Sequence, residues 1–323
     1  MQYHAIKPRI SVIIPAYNAE KTILETIASV QNQTFSNFEI IVINDGSTDS
    51  TLKLLEELND DRLRVVSYAN GGLSVARNRG MAEAQGEFIA LLDADDLWTP
   101  DKLELQLAAL QANPKAGVVY SWTHFMDEAG NLFRTDSADL PLQFEGNVLA
   151  DLLTWNFIAS GSNPMICKEA ILATGEFKTA AGGAADWDYW LRLALTWDYV
   201  VVPKRQIFYR LTTGSMSSKI DQMEQCQIIV MNDIFELAPP ELQHLKRKTL
   251  AYIYQNSVKL HLERSSHIKR IDFALNKLIK AIQTFPATLL SRNTQKLLVK
   301  IALLKILPSN ISFYLFQKTN RIT

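Results

Sequence analysis

The stretch FIALLDADDLWTPDKL, residues 88–103, joins an apolar run, an acidic turn and the start of a helix. Its first part, Phe88–Leu92, is a short apolar run of the kind that forms a buried strand. Thr99 can cap a following helix, and Pro100 suits the first helical position. A turn therefore separates strand from helix, and it contains Asp93-Ala94-Asp95-Asp96-Leu97-Trp98. Open α/β sheets bind their ligands at this carboxyl end of a strand.

Similar apolar, β-branched runs recur through the first 120 residues and alternate with helical patterns. The other runs are Ile10–Ile14, Glu39–Ile43 and Leu63–Ser67, with a further candidate at Gly117–Tyr120. The helical patterns are Glu20–Gln33, Ser50–Leu58, Leu73–Ala84 and Pro100–Gln111. Strands that alternate with helices of this length form βαβ units, whose parallel strands are covered on both faces. The sequence therefore predicts an α/β fold with a mainly parallel central sheet flanked by helices.

The composition predicts a folded chain with a marked division of charge. With 323 residues, 47% of them hydrophobic, the chain is long enough for one large domain or two smaller ones. Residues 241–323 carry fifteen Lys and Arg against three Asp and Glu, so the front part has a formal charge of about −13 and the tail one of about +12. Such a division indicates that the two ends meet different partners.

From the sequence pattern we expect neither a secretory signal nor a membrane-spanning helix. The run Ile10–Ile14 is too short for a secretory signal and lacks a cleavage site. The best candidate for a membrane span, Leu297–Leu307, is interrupted by two lysines and is shorter than the roughly 18 apolar residues required. Cys167 and Cys226 form at most one bridge, which fits a reducing compartment. We therefore expect a cytoplasmic protein.

Asp93 and Asp95 are a candidate cation site. They are two residues apart after a buried strand, so a turn can direct both carboxylates toward a ligand. Mg²⁺ and Mn²⁺ prefer such oxygens and usually take one or two protein carboxylates together with phosphate oxygens. The alternative is a solvated turn whose side chains cap neighbouring backbone. The acidic pair alone does not decide between the two, because a short motif depends on its structural context.

Two further strand-to-helix turns open at the same predicted edge, and they are Pro15-Ala16-Tyr17-Asn18 and Asn44-Asp45-Gly46-Ser47-Thr48-Asp49. The ring of Tyr17 can stack on a nucleobase, and Asp45 can accept a hydrogen bond from a base N–H. The alternatives are ordinary loop roles, with Asn18 or Asp45 as a turn former, Gly46 for positive φ and Thr48 as a helix cap. We favour the loop roles for Gly46 and Thr48, and ligand binding for Asp45.

The segment Asn70–Gly80 places glycines before a helix and two arginines on it. Glycine at a helix N-terminus suits phosphate, but the segment lacks both the dinucleotide fingerprint and the Lys-Ser/Thr ending of a P-loop. Arg77 is a candidate partner for a diphosphate or for the acidic pair. For Arg79, a solvated position on the helix is an equal alternative.

The four segments SVIIPAYNAEKTI, VINDGSTDST, GGLSVARNRG and LLDADDLWTPDKL, in this order and at these separations, resemble glycosyltransferase family 2. The resemblance is close over about the first 115 residues and weaker up to residue 220. It implies the GT-A fold, which is Rossmann-like. We expect a catalytic domain over 1–220, with a nucleotide-sugar half (1–115) and an acceptor-side half (116–220), followed by a basic helical region over 221–323.

The resemblance also implies roles for individual residues. Pro15, Tyr17 and Asp45 would hold the nucleobase and ribose. Asp93 would contact the ribose or a metal ion, and Asp95 would be the direct ligand of Mn²⁺ or Mg²⁺. The complete predicted nucleotide-sugar site is Pro15, Ala16, Tyr17, Asn18, Asp45, Arg77, Asp93, Ala94, Asp95 and Arg210.

Family members of this type invert the anomeric centre, so an acceptor hydroxyl attacks in one step and requires a general base. The family usually places this base in a Glu-Asp pair before a Trp-containing helix. Here Ala185 replaces the Glu, and Asp186 matches the Asp. Asp186 is the predicted base, with a helix N-cap as the alternative. Asp188 is better explained as a first-turn acid that the helix dipole favours.

A second departure from the family lies close to Arg210. Relatives often carry a histidine, near the metal or the diphosphate, where this chain has Thr212. Its replacement removes a candidate third protein ligand for the metal, and water or substrate can fill that position. Arg210 remains a candidate for contact with phosphate.

The predicted function is transfer of a sugar from a nucleoside diphosphate sugar, with UDP favoured by its frequency in the family, to a hydroxyl of a glycan, polysaccharide or lipid-linked acceptor. One alternative is a sugar nucleotidyltransferase. Such enzymes carry a Gly-rich phosphate loop after the first strand, and Pro15–Ala19 does not resemble that loop. The other is a nucleotide-sugar-binding protein without catalysis, an alternative that the departures at Ala185 and Thr212 keep open.

The tail has a helical pattern from Met223 onward, and one helical face carries Ile268, Ile271, Leu275, Leu278, Ile279 and Ile282. Basic residues are then interleaved with Leu297, Leu298, Ile301, Leu304 and Leu307 and followed by Phe313, Tyr314 and Phe316. This pattern suits either a helix on an anionic membrane surface or a helical bundle with a solvated basic face. No nucleic-acid-binding motif accompanies the charge, so we expect no nucleic acid partner.

Overall fold

The computed structural model describes residues 7–133, 143–212, 219–263 and 268–306. The chain divides into two compact units. The first consists of Met1–Leu149, Phe157–Ala180 and Tyr189–Thr212, and the second of Ala150–Asn156, Ala181–Asp188 and Thr213–Thr323. The predicted domain boundary at residue 220 and the predicted donor and acceptor halves stay predictions.

Within its described residues, the first unit is built on a nine-stranded mixed sheet. The strands are β1 (Ile10–Ala16), β2 (Phe38–Asn44), β3 (Leu63–Ser67), β4 (Phe88–Leu91), β5 (Leu97–Trp98), β6 (Ala116–Met126), β7 (Leu132–Phe133), β8 (Met165–Cys167) and β9 (Asp198–Arg210). They lie in the order β3-β2-β1-β4-β8-β6-β9-β5, with β7 paired to β6. Strands β1 to β4 pair in parallel, as do β6 and β9, whereas β8 is antiparallel to both β4 and β6.

Helices connect these strands, and α1 (Ile23–Gln31), α2 (Thr51–Glu56), α3 (Leu73–Glu83), α4 (Lys102–Ala112) and α6 (Lys168–Thr174) lie within the first unit. Two further helices are shared between the units along the chain. All but the first residue of α5 (Leu149–Thr154) and the first four residues of α7 (Ala185–Ala194) belong to the second unit. Every residue of β1 is buried, which for a parallel strand means that both faces of the sheet are covered. On α1, Ile23, Ile27 and Val30 follow helical spacing and pack into the same core cluster as β1.

The α/β fold predicted from the sequence is confirmed, and each of the four predicted strands in the first 100 residues is present within two residues of its expected bounds. The turns after β1, β2 and β4 therefore leave the sheet at the same edge, because these three strands are parallel neighbours. This edge is the place where parallel α/β sheets bind ligands.

The start of α4 differs from the prediction. The helix begins at Lys102 rather than at Pro100, so the predicted cap at Thr99 is wrong. Thr99 N instead donates a hydrogen bond to Gln206 O at 2.9 Å, which continues the pairing of β5 with β9. Its hydroxyl donates to Asp101 Oδ1 at 2.7 Å. Pairing with a distant strand therefore overrides the local signal for a helix start.

The long parallel pair of β6 and β9 is the largest element that the sequence pattern did not show. The predicted strand Gly117–Tyr120 extends to Met126, although Ser121 and Thr123 interrupt its apolar pattern. These polar positions are buried because Asn163 satisfies them, with Asn163 Oδ1 accepting from Ser121 N at 2.8 Å and Asn163 Nδ2 donating to Ser121 O at 2.7 Å. A partner 42 residues away thus permits a buried polar strand.

The second unit is helical over its longest continuous part. It contains α8 (Ile220–Leu237), α9 (Lys246–Glu263), α10 (Ile268–Thr284) and α11 (Arg292–Ile306), with 3-10 turns at Pro240–Leu245 and Pro286–Leu290. Its core contains Val258, Leu262, Ile271, Ala274, Leu278, Leu297 and Ile301. Of the face predicted for α10, Ile271 and Leu278 are buried, but Ile279 is 43% exposed. The predicted aromatic cluster Phe313, Tyr314 and Phe316 lies outside the described residues, as does Leu307.

Two global features bear on the expectations for location. In the part of the chain that the structure describes, no helix has both the length and the hydropathy that crossing a bilayer requires. Cys167 and Cys226 are both free thiols and both partly buried.

Candidate active site

The acidic turn after β4 is held in place through its backbone. Thr22 Oγ1 and Thr26 Oγ1, at the start of α1, donate to Ala94 O at 2.8 and 3.0 Å. Arg210 Nε, at the end of β9, donates to Asp95 O at 2.9 Å. The two carbonyl groups are therefore satisfied by segments far apart in the sequence, and the direction of the neighbouring carboxylates is fixed.

Asp96 supports this turn from inside the protein. Ser162 Oγ donates to Asp96 Oδ2 at 2.5 Å, and Arg210 N donates to Asp96 Oδ1 at 2.9 Å. Asp96 is fully buried, and this burial, together with the charges of Asp95 and Asp93, raises its pKa well above the usual range. A carboxyl group enclosed in this way orders the turn and does not face a ligand.

Asp93 is paired with a buried arginine. Arg77 Nη2 donates to Asp93 Oδ1 at 2.7 Å, with the Arg77 side chain 0% and the Asp93 side chain 21% exposed. The guanidinium carbon of Arg77 also lies 5.3 Å from the ring centroid of Phe177. The predicted partners of Arg77 are a diphosphate and the acidic pair, and the structure places a carboxylate of the acidic pair beside it. The ion pair leaves the outer part of Asp93 at the surface of the sheet edge.

Asp95 lies in surroundings that disfavour its negative charge. Burial, and next the charge of Asp93, raise the pKa of Asp95 to about 6. No hydrogen bond from another side chain to this carboxylate occurs among the described residues, although the charge of Arg210 acts in its favour. A divalent cation would balance the charge of the two carboxylates, whose hard oxygen atoms are the ligands that Mg²⁺ and Mn²⁺ prefer.

The donor set at this edge fits a cation that shares its coordination with a ligand. The described residues contain no group of three or more His, Cys, Asp or Glu that could hold a metal ion by themselves. Two carboxylates, completed by phosphate oxygens and water, match the usual coordination of Mg²⁺. Asp93 and Asp95 would hold the ion, with the coordination completed by a diphosphate.

The turn after β1 is tied to the turn after β2. Asn18 adopts φ of 50°, and its Oδ1 accepts a hydrogen bond from Thr48 N at 2.8 Å. Thr48 does not cap α2, which begins at Thr51, so the predicted cap is wrong. Tyr17 is 54% exposed, and its ring is accessible for stacking. Pro15 and Ala16 are buried at the end of β1.

Asp45 organises the glycine turn before α3. Its Oδ2 accepts hydrogen bonds from Gly72 N at 2.8 Å and Gly71 N at 3.1 Å, and its Oδ1 accepts from Arg79 Nη1 at 3.0 Å. Asp45 is only 2% exposed. The adjacent Gly46 has φ of 73°, the role that its sequence context indicates. Arg79 is thus paired with an acid at the site, and the nucleobase contact of Asp45 stays a prediction.

Replacement of Asp45 by alanine is expected to lower the free energy of unfolding by about 2–3 kcal/mol, because two backbone amides and a guanidinium lose a buried acceptor. The measurement is urea unfolding without nucleotide. Arg79→Gln, which keeps the two amide contacts, should lower the stability by less. Equal stability of Asp45→Ala and the parent protein would show that the glycine turn does not depend on this carboxylate.

Arg210 is surrounded by protein acceptors. Besides its contact with the acidic turn, its Nη2 donates to Glu25 Oε2 at 2.8 Å and its Nη1 donates to Glu128 O at 3.2 Å. The Arg210 side chain is 5% exposed. These contacts make it a support of the turn, and the predicted phosphate contact stays a prediction. Thr212 is half-buried, and residues 213–218 lie outside the described part of the chain.

Asp186 is the second residue of α7 and belongs to the second unit. Since α7 begins at Ala185, the alternative role of Asp186 as an N-cap is wrong. The 3-10 turn Thr179–Ala184 leads into the helix and contains Gly182, which has φ of 52°. Asp186 is half-buried, whereas Asp188 is 1% exposed. Of the two acids in this helical turn, Asp186 is the more accessible.

Several supporting residues were missed in the sequence. Ser162 lies in the segment Ser160–Pro164, whose composition indicates only a turn, and the sequence does not distinguish Asp96 from the other acids of its turn. Glu25, 185 residues from Arg210, gave no signal, because charged residues on helices are usually solvated. Thr22 and Thr26 are spaced by four on α1, which is a weak sign of a shared face.

Comparison with known proteins places these features in a family. The model of "Glycosyl transferase family 2" matches residues 11–173, just over half of the chain. Chondroitin synthase of Escherichia coli is 29% identical over 230 residues, which cover 70% of this chain and 32% of that protein. The E. coli protein "UDP-Glc:alpha-D-GlcNAc-diphosphoundecaprenol beta-1,3-glucosyltransferase WfgD" is 42% identical over 106 residues, 32% of this chain and 42% of that one. The chain thus spans a third of the first relative and less than half of the second.

Solved structures share the fold over nearly the full chain. Staphylococcus aureus TarS 1-349 in complex with UDP-GlcNAc has a TM-score of 0.62 at 18% identity, covering 97% of this chain and 92% of that one. Mannosyltransferase PcManGT from Pyrobaculum calidifontis, in complex with GDP-Man and Mn²⁺, has a TM-score of 0.61 at 21% identity, covering 97% and 85%. These similarities confirm the predicted GT-A fold. The family match, over the segment that contains β1, β2, β4 and the acidic turn, shows that the chain belongs to glycosyltransferase family 2.

Proposed function

We propose that this chain transfers a sugar from a nucleoside diphosphate sugar to a hydroxyl group, with inversion at the anomeric carbon. The observation that carries the proposal is the acidic turn after β4. Its backbone is held by α1 and β9, while Asp93 and Asp95 lie at the ligand-binding edge of the sheet. This arrangement suits a diphosphate bound together with a cation.

The donor is proposed to lie across the turns after β1, β2 and β4. Tyr17 would stack on the nucleobase, and Pro15 and Asn18 would shape the turn beneath it. Asp45 would contact the base and would also order the glycine turn before α3. The proposal includes the assignment of residues 1–115 to the donor and 116–220 to the acceptor. UDP is the proposed nucleotide, supported by TarS, which was solved with UDP-GlcNAc, and by WfgD, whose name gives UDP-Glc as donor.

The cation is proposed to be Mn²⁺ or Mg²⁺ held by Asp95 and Asp93, and PcManGT was solved with Mn²⁺. When bound, it would neutralise the charge that builds on the leaving diphosphate. Arg77 holds Asp93 in a fixed orientation through a 2.7 Å ion pair. Arg210 orders the backbone of Asp95 and is the proposed second positive group near phosphate.

Asp186 is the proposed general base. An acceptor hydroxyl attacks the anomeric carbon on the face opposite the diphosphate. The new C–O bond forms as the bond to the diphosphate breaks, and the hydroxyl proton passes to the Asp186 carboxylate. The first turn of α7 and the partial exposure of this side chain support the assignment.

The acceptor is proposed to be a glycan, a polysaccharide or a lipid-linked sugar. The name of WfgD gives a sugar on diphosphoundecaprenol as its acceptor, and chondroitin synthase is named for a polysaccharide. A cytoplasmic location is part of the same proposal. The identity of the sugar is proposed to depend on side chains in the middle of the chain, between the acidic turn and residue 220.

Incubation of the purified chain with UDP-, GDP- and dTDP-sugars tests the proposal. We expect one donor to release its nucleoside diphosphate in a metal-dependent manner. EDTA should abolish this release, and added Mn²⁺ should restore it. The readouts are free nucleotide and the rise in thermal midpoint on donor binding.

Two outcomes would contradict this function. Stabilisation by a donor without nucleotide release, with or without an acceptor glycan, would indicate a binding protein that lacks catalysis. Formation of a sugar nucleotide and pyrophosphate from a sugar phosphate and a nucleoside triphosphate would indicate a nucleotidyltransferase.

A further inference from the structure

The last described helix of the second unit, α11, carries two distinct apolar faces. On its inner side, Thr294, Leu297 and Ile301 are buried. Leu297 and Ile301 belong to the core cluster with α9 and α10, and Gln255 of α9 bonds to Thr294. The inner face therefore packs within the second unit, and Leu298 and Leu304 beside it are partly buried against the same core.

The outer side of α11 carries a second row, which we call the outer stripe, consisting of Arg292, Lys296, Val299, Leu303 and Ile306. The steps of four and three residues keep these side chains on one helical face. Val299 is 58% exposed, Leu303 49% and Ile306 80%. Single exposed apolar residues are normal on protein surfaces, but three that follow helical spacing form a continuous strip.

Exposed apolar residues also precede this helix. Leu290, in the 3-10 turn that leads into α11, is 80% exposed, and Leu289 beside it is 45% exposed. Large apolar groups therefore lie at both ends of α11, with Arg292 and Lys296 between them along the chain. Long basic side chains next to apolar ones are typical of helices that lie in a membrane interface.

Along the chain, the charge on either side of the outer stripe is almost entirely positive. Helix α11 contains no acidic residue, and residues 241–323 carry fifteen Lys and Arg against three Asp and Glu. One of those acids, Asp272 of α10, forms an ion pair with Lys305 at 2.7 Å. The local field therefore favours an anionic partner with an apolar layer beneath its charges.

We propose that the outer stripe of α11 lies on an anionic lipid surface, with Val299, Leu303 and Ile306 in the acyl region and Arg292 and Lys296 among the head groups. A bilayer surface provides both requirements at once, because anionic head groups overlie hydrocarbon. A second copy of this chain fits less well. A two-fold contact through the stripe would bring two strongly basic surfaces together. This inference is independent of the proposed function.

Flotation of the full chain with vesicles tests this surface. We expect binding to vesicles of phosphatidylcholine with phosphatidylglycerol, little binding to phosphatidylcholine alone, and weaker binding as salt screens the charges. Arg292→Gln with Lys296→Gln should lower the partition coefficient about tenfold or more. Replacement of Val299, Leu303 and Ile306 together by glutamine should lower it at least about tenfold. Leu172→Gln on α6, at a residue 75% exposed in the first unit, is the matched control and should bind like the parent protein.

Three results would overturn the proposal. The first is that the chain does not bind the vesicles, or that it binds them without dependence on anionic lipid or on the outer stripe. The second is a dimer, measured by light scattering, that the triple glutamine variant dissociates, because the stripe would then be an interface between copies. The third is a fall in the thermal midpoint of the triple variant as large as that of the core change Leu297→Ala, because the stripe would then be covered by the chain itself.

Discussion

Replacement of Asp95 by asparagine is expected to lower kcat/KM for the donor about a thousandfold or more. The proposed role of this carboxylate is to hold the cation that neutralises the leaving diphosphate, and such charge stabilisation contributes several kcal/mol to the transition state. Asparagine has the same shape but offers one neutral oxygen. The metal-dependent rise in thermal midpoint on donor binding should be lost together with turnover.

The same substitution should leave the fold intact, which separates a lost ligand from a damaged structure. The Asp95 carboxylate is largely buried beside the charge of Asp93, so its neutral replacement removes an unfavourable interaction. The thermal midpoint without metal and nucleotide should be equal to that of the parent protein or higher. Asp61→Asn, in the exposed loop before β3, is the matched control and should change neither activity nor metal dependence.

The assignment of Asp95 is wrong if the asparagine variant still binds the donor in a metal-dependent manner. Turnover reduced only a fewfold, with the Mn²⁺ requirement unchanged, would show that another group holds the cation. The nearby alternative is Asp93, and the Asp93→Asn variant distinguishes the two. That variant also replaces the charged partner of the buried Arg77 by a neutral amide, so a loss of stability is expected there in addition to any loss of activity.

The sheet edge could be predicted because its determinants are local. Each of β1, β2 and β4 is a short apolar run followed at once by polar turn residues, and the parallel order follows from the helices between them. Gly46 was also predictable, since a glycine within an Asn-Asp-Gly-Ser turn indicates positive φ. Asp93 and Asp95 were found for the same reason, as they directly follow a strand.

The supports of the site could not be predicted, because they come from distant segments. Arg210 contacts the carbonyl of Asp95, which lies 115 residues earlier in the chain, and it pairs with Glu25, which lies 185 residues earlier. Asp45 gave a local signal for a ligand contact, but its carboxylate accepts from Gly71, Gly72 and Arg79, so its geometry is that of an organiser. The start of α4 was misplaced for a similar reason, since Thr99 pairs with β9.

The chemical step should depend most on Asp186. Asp186→Asn is expected to lower kcat by about a hundredfold to ten-thousandfold, because the acceptor hydroxyl loses the group that takes its proton. The dissociation constant of the donor and its metal dependence should be unchanged, since donor and cation are assigned to β1, β2 and β4. The measurements are single-turnover transfer with saturating donor and the donor-dependent thermal shift.

Asp188→Asn is the matched comparison, because both acids lie in the first turn of α7 and asparagine replaces each with little change of shape. Asp188 is 1% exposed, so its variant should lose stability and keep the rate of the chemical step in the folded fraction. Retained turnover in Asp186→Asn would exclude this residue as the base. A rate loss in Asp188→Asn equal to that in Asp186→Asn, at full folding of both, would also overturn the assignment, because the effect would then belong to the helical turn as a whole. If only Asp186→Asn slows transfer, one acid of the family pair suffices for the reaction, because the other position of the pair is Ala185 in this chain.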